Sequence, residues 1–65
     1  MSRESRTREG YTIRRGNESR GRWWWLLLSP DGAPVEAAGQ CRSHREAMDE
    51  AHRAIRRHLA KKRAA

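Results

Sequence analysis

His44, His52, His58, Cys41 and Ser43 are the residues of this 65-residue chain whose side chains suit acid–base or nucleophilic chemistry. An imidazole can act as a general base, and a thiol or hydroxyl can attack once a base takes its proton. That chemistry needs a third group to orient the base. His44 and His52 stand about two helical turns apart, and no carboxylate is spaced to orient both. Ser43 precedes Glu46 at the spacing of a helix cap. His58 lies beside Ile55 and Leu59 and reads as the border of a core. Cys41-x-x-His44 is the nearest approach to a metal-ligand spacing, and no second pair follows it. There is no glycine-rich phosphate loop and no carboxylate pair. The residues therefore point to a protein that is not an enzyme, with no cofactor, no metal and no small-molecule substrate.

The cations carry a stronger signal. Fifteen Lys and Arg stand against eight Asp and Glu, a net charge of +7. Two basic blocks, residues 1–22 and 42–65, flank a centre whose charges are Asp31 and Glu36 alone. Such a distribution favours an anionic partner, with DNA or RNA first among candidates. Arg53, Arg56 and Arg57 follow i, i+3, i+4 spacing, so one helix face carries all three, and Lys61 extends it. Such a patch can lie along a phosphate backbone. Arg14 and Arg22 flank Trp24, whose indole offers a base a stacking surface. Nucleic-acid contacts are thus expected from Arg14, Arg22, Arg53, Arg56, Arg57 and Lys61. The plain alternative for the helix is a solvated face with Asp49–Arg53 and Asp49–Arg56 pairs, each worth a few tenths of a kcal/mol.

The run Trp23-Trp24-Trp25-Leu26-Leu27-Leu28 holds all three tryptophans. Side chains alternate along a strand, so both faces of this one are apolar. A single helix covers one of them. The other, carrying Trp24, Leu26 and Leu28, is expected to pack against a second copy as a homodimer interface. This supports an alternative function, a protein-interaction or homodimerisation module with no role in nucleic-acid binding.

The elements that position these residues follow from local signals. Residues 1–9 have no apolar side chain after Met1 and are expected to be a disordered basic tail. Residues 11–15 alternate as a strand, and residues 16–21 form a loop with glycine at each end. Ser29-Pro30-Asp31-Gly32 is a type I turn closed by a glycine bulge, so residues 22–28 and 33–38 form a hairpin. That turn predicts Leu27 opposite Val35, Trp25 opposite Ala37 and Trp23 opposite Gly39, with Trp25 and Leu27 on the core face. Trp24, Leu26 and Leu28 share the other face with Ala38, Glu36 and Pro34. Ser43-x-x-Glu46 caps a helix over residues 44–61. Ala47, Met48, Ala51, Ala54, Ile55 and Leu59 form its buried stripe. Residues 62–65 fray. The expected fold is α+β: a three-stranded antiparallel β-meander with one C-terminal helix packed on one face, in a single domain over residues 10–61. The apolar run is far short of a membrane span. No signal-peptide core follows Met1, and the lone Cys41 has no disulfide partner, which together suggest the cytoplasm.

From Trp23 to Ile55 the chain resembles the small bacterial UPF0339 (DUF1508) modules. The resemblance rests on the Trp23–Leu28 strand, the Ser29-Pro30-Asp31-Gly32 turn, the strand Ala33-Pro34-Val35-Glu36-Ala37-Ala38 and the capped Ser43-His44-Arg45-Glu46-Ala47. Cys41 stands where those modules usually carry an aromatic. The resemblance implies a sheet-plus-helix fold and no established catalytic activity. The same element order also resembles the arm-type DNA-binding domains of phage integrases, which lay the sheet in the major groove. That resemblance implies that Arg14, Arg22 and Glu36 face DNA.

Overall fold

The computed structural model describes residues 2–64. Strands β1 (Ser2–Arg6), β2 (Thr12–Asn17), β3 (Trp23–Leu28) and β4 (Pro34–Cys41) precede helix α1 (His44–Ala64), with a 3-10 turn at Ser19–Gly21. The strands form one antiparallel sheet in the order β1-β2-β3-β4. The helix lies across one face of it, mainly over β3 and β4. The α+β class and the meander-then-helix order are as expected, with four strands in place of three.

The extra strand falls within the segment expected to be disordered. β1 has no apolar side chain to bury, so its order comes from backbone pairing with β2, from Ser2 opposite Gly16 to Arg6 opposite Thr12. A tight turn sets that pairing. The Gly10 N–H reaches the Thr7 carbonyl at 3.0 Å, and the Thr7 N–H reaches the Tyr11 carbonyl at 2.8 Å. Gly10 closes the turn at a φ of 89°, which glycine adopts without steric cost. Side chains add to this: Arg15 Nη1 donates to Ser5 Oγ at 2.8 Å, and Arg14 pairs with Glu4 at 3.6 Å. Met1 lies outside the described residues.

The β3–β4 hairpin closes through the expected turn, with the Ser29 N–H on the Ala33 carbonyl and the Gly32 N–H on the Ser29 carbonyl, both at 2.8 Å. Its register differs from the expectation. Leu27 faces Glu36, Trp25 faces Ala38 and Trp23 faces Cys41. Irregularities between Leu27 and Leu28 and between Trp23 and Trp25 shift β4 along its partner. The first follows Pro34, which has no N–H for the ladder and is confined to strand starts, edges and bulges. The second lies beside Gln40, whose φ of 65° leaves the extended region. The shift exchanges the faces of Glu36, Ala37 and Ala38, while Pro34 stays opposite Leu28 and Val35 still packs against the core, as expected. Ala37, opposite Leu26, joins the outer face, while Glu36 and Ala38 stand on the helix side.

The core lies between sheet and helix: Tyr11, Ile13, Trp25, Leu27 and Cys41 from the sheet meet Ala47, Ala51, Ala54 and Ile55. The alanines let the helix come close enough to cover the Trp25 indole, whose Nε1 donates to Glu50 Oε1 at 3.1 Å. Arg15 also points inward and is only 8% exposed. Its Nε donates to His44 Nε2 at 2.6 Å and its Nη1 to Ser5 Oγ and the Ile13 carbonyl. One guanidinium thus ties β1 and the helix start to β2, and its buried charge is spread over hydrogen bonds as a buried cation requires. At the helix start Ser43 Oγ accepts the Glu46 N–H at 3.1 Å. Glu46 Oε2 reaches back to the Arg42 N–H, one residue before the cap. The helix runs on to Ala64, past the expected end at residue 61, and includes Lys62 and Arg63. Lys61, Lys62 and Arg63 sit where the negative end of the helix dipole favours cations. Ala65 lies outside the described residues.

Candidate nucleic-acid interface

Helix α1 turns its outward ridge, Arg45, Asp49, His52, Arg53 and Arg56, to solvent. Among the described residues two ion pairs form, Arg14–Glu4 and Arg57–Glu36. Neither intrahelical pair of Asp49 is among them, so Arg53 and Arg56 present unpaired guanidiniums. Arg57 does not share their situation. It sits on the flank facing β4, where its Nη2 meets Glu36 Oε2 at 2.7 Å. That contact exists because the β4 bulge moves Glu36 to the helix side. Arg53 and Arg57 line a small groove of about 230 Å³ together with Trp25, Glu36, Ala38 and Glu50. Lys61, one turn beyond Arg57, is exposed.

The outer face of the sheet, away from the helix, carries Trp24, Leu26 and Leu28, all half-buried. A Cβ placed on Gly16 would stand 2.5 Å from Trp24 Cζ2, so the indole occupies the space a side chain at that position would fill. Gly39 flanks it on the other side, its own Cβ position 3.9 Å from that of Trp24. Arg14, opposite Leu26, stands on this face and is paired with Glu4. Arg22 is exposed two residues before Trp24 and lines an open pocket of about 380 Å³ with Glu18, Ser19, Arg20 and Gln40.

The residues suited to catalysis do not converge. Cys41 is buried, and burial, then the charge of Glu50, pushes its thiol up from the ordinary range. The thiolate is the nucleophilic form, so this is a poor nucleophile at neutral pH. Ser43 caps the helix. His44 accepts from Arg15 and packs edge-on against Trp23, ring centroids 4.9 Å apart. His58 meets the Tyr11 hydroxyl through Nδ1. No cluster of three or more His, Cys, Asp or Glu side chains suited to a metal ion occurs among the described residues.

The expected nucleic-acid residues therefore divide between two sides of the sheet. Arg53, Arg56, Arg57 and Lys61 lie on the helix, and Arg14 and Arg22 on or beside the opposite face. Glu36, placed toward DNA by the integrase-like reading, is instead bound to Arg57. Arg20 and Gln40 were not among the expected residues. For Arg20 the signal was the glycine-bounded loop over residues 16–21, and nothing local marked Gln40. No family model, curated protein or solved structure matches this chain.

Proposed function

We propose that this protein is a small, non-enzymatic nucleic-acid-binding module whose helix α1 lies along a phosphate backbone. The observation that carries this reading is the exposed ridge on which Arg53 and Arg56 have no ion-pair partner among the described residues. Phosphates supply the counter-charge that the fold does not. Lys61 extends the contact along the flank, and Arg57 takes a smaller part because Glu36 already neutralises it. Binding is sequence-tolerant, since contacts to the phosphate backbone position the protein without carrying sequence information. The chain has no helix among the described residues long and apolar enough to cross a membrane. Its lone thiol suits the reducing cytoplasm, which we take as its compartment.

The test is the salt dependence of binding to a random duplex. Three phosphate contacts, from Arg53, Arg56 and Lys61, give a log–log slope of about −3. Arg56→Ala flattens that slope by about one unit and leaves sequence preference unchanged. A slope near zero, or no binding at low salt, overturns the proposal.

A further inference from the structure

We infer that the outer face of the sheet is a site for single-stranded nucleic acid, with a base stacked on Trp24 and the adjoining phosphates held by Arg20 and Arg22. The inference rests on the nucleic-acid reading above and adds to it a second surface and a preference for unpaired strands. Base–aromatic stacking beside a basic groove is the general means by which proteins hold single strands without reading sequence.

Two features build the site. The first is the seat of Trp24. Its indole lies against the Gly16 backbone with Gly39 on its far side, so the ring is braced by main chain. The residue is partly exposed, on the face that the helix leaves uncovered. The second is the pocket at the end of β3. Strand alternation puts Arg22 on the same side as Trp24. The pocket that Arg22 lines brings in Arg20 across the 3-10 turn and Gln40 from β4. Arg20 and Gln40 both take left-handed backbone, at a φ of 70° and 65°. Two guanidiniums answer phosphate, while Gln40 and Ser19 offer hydrogen bonds to a base or sugar. Glu18 also lines the pocket and opposes phosphate, which makes it a handle for the test.

A second copy of the chain is the competing occupant, and charge favours the nucleic acid: Arg20 and Arg22 beside the face answer phosphate, whereas a second copy would bring the same cations to it.

The experiment titrates the full chain with a short oligothymidylate and, separately, with a random duplex, reading tryptophan fluorescence and the anisotropy of a labelled strand. Oligothymidylate should quench part of the emission. Trp24→Leu should remove that quenching and weaken single-strand binding by roughly 5- to 150-fold, with duplex binding unchanged. Trp24→Phe should retain part of the affinity, and Glu18→Gln should tighten single-strand binding. If Trp24→Leu fails to fold by circular dichroism, the Phe and Gln variants carry the test. The double change Arg53→Ala with Arg56→Ala should weaken duplex binding instead. Equal oligothymidylate affinity for Trp24→Leu and wild type overturns the inference and leaves the helix reading standing, as does wild-type binding to duplex alone. No binding to either nucleic acid overturns both. A dimer seen by light scattering, dissolved by Leu26→Lys with no change in oligothymidylate affinity, assigns the face to a second copy and overturns the inference.

Discussion

The two faces of β3 are made from the same residue types and meet opposite fates. Trp25 and Leu27 are 2% and 0% exposed beneath the helix, whereas Trp24, Leu26 and Leu28 remain half-buried on the far side. Their own hydrophobicity does not separate them. What separates them is the neighbour each face receives. Ala47, Ala51 and Ala54 bring the helix backbone close on one side, and Glu50 accepts the Trp25 indole N–H so that no polar atom is stranded. On the other side the cover for Trp24 is a gap, the missing side chain of Gly16. One face is filled by a packed element and can hold a core, while the other is only braced and stays partly exposed.

The comparison breaks most readily at Trp25. Trp25→Ala should cost ~3–5 kcal/mol in urea or thermal unfolding, as truncation of a large core aromatic does. Trp24→Ala should cost less, roughly 2–3 kcal/mol, since part of that residue already lies in water. If the outer change costs as much as the inner one, the contrast between the faces is false.

Arg15→Leu comes next. It keeps some inward bulk but leaves His44 Nε2 and Ser5 Oγ without the donor they share, at about 1–3 kcal/mol. Amide exchange should quicken across β1 in this variant more than across β3. On the outer face, Gly16→Ala puts a methyl into the indole, and the half-exposed ring can swing away. A loss of about 1 kcal/mol is expected, at the low end for overpacking. The reporter is greater acrylamide quenching of tryptophan, and unchanged quenching would mean that Trp24 does not rest on that glycine. Arg57→Ala removes an exposed ion pair and should cost at most about 1 kcal/mol. The smallest effect is chemical. Cys41, buried and held protonated, should react with a thiol reagent at neutral pH only as fast as the protein opens, and at an ordinary rate in urea.

Local signals were legible where adjacent residues settle the geometry. The Ser43 cap, the Ser29-Pro30-Asp31-Gly32 turn and the inward Trp25 and Leu27 all follow from spacing. The first strand was legible too, but in its turn and not in its composition. Thr7-Arg8-Glu9-Gly10 repeats the pattern of Ser29-Pro30-Asp31-Gly32: a hydroxyl residue first, an acid third, a glycine fourth. In both, the hydroxyl accepts the N–H four residues on at 3.2 Å, and the glycine takes a φ near 90°. An argument from apolar content overlooks β1 because the strand buries nothing and is held by its ladder. The bulges of β4 had only Pro34 as a hint, and they decide whether Glu36 faces the helix or the solvent.

The candidate site divides along the same line. Composition by itself determined that the chain carries a large excess of arginine, that a tryptophan would remain on an open sheet face, and that the helix would bear a basic ridge. These follow from charge counting and from the periods of strand and helix, which nearby residues set. The tertiary structure alone decided that Arg15 is a buried tie, that Arg57 is held by Glu36 across 21 positions of sequence, and that Gln40 lines one pocket with Arg20 and Arg22. Each of these depends on which strand lies beside which and in what register. A shift of one residue turns every side chain of a strand to the other face, so contacts between distant segments exist only once the whole sheet has closed.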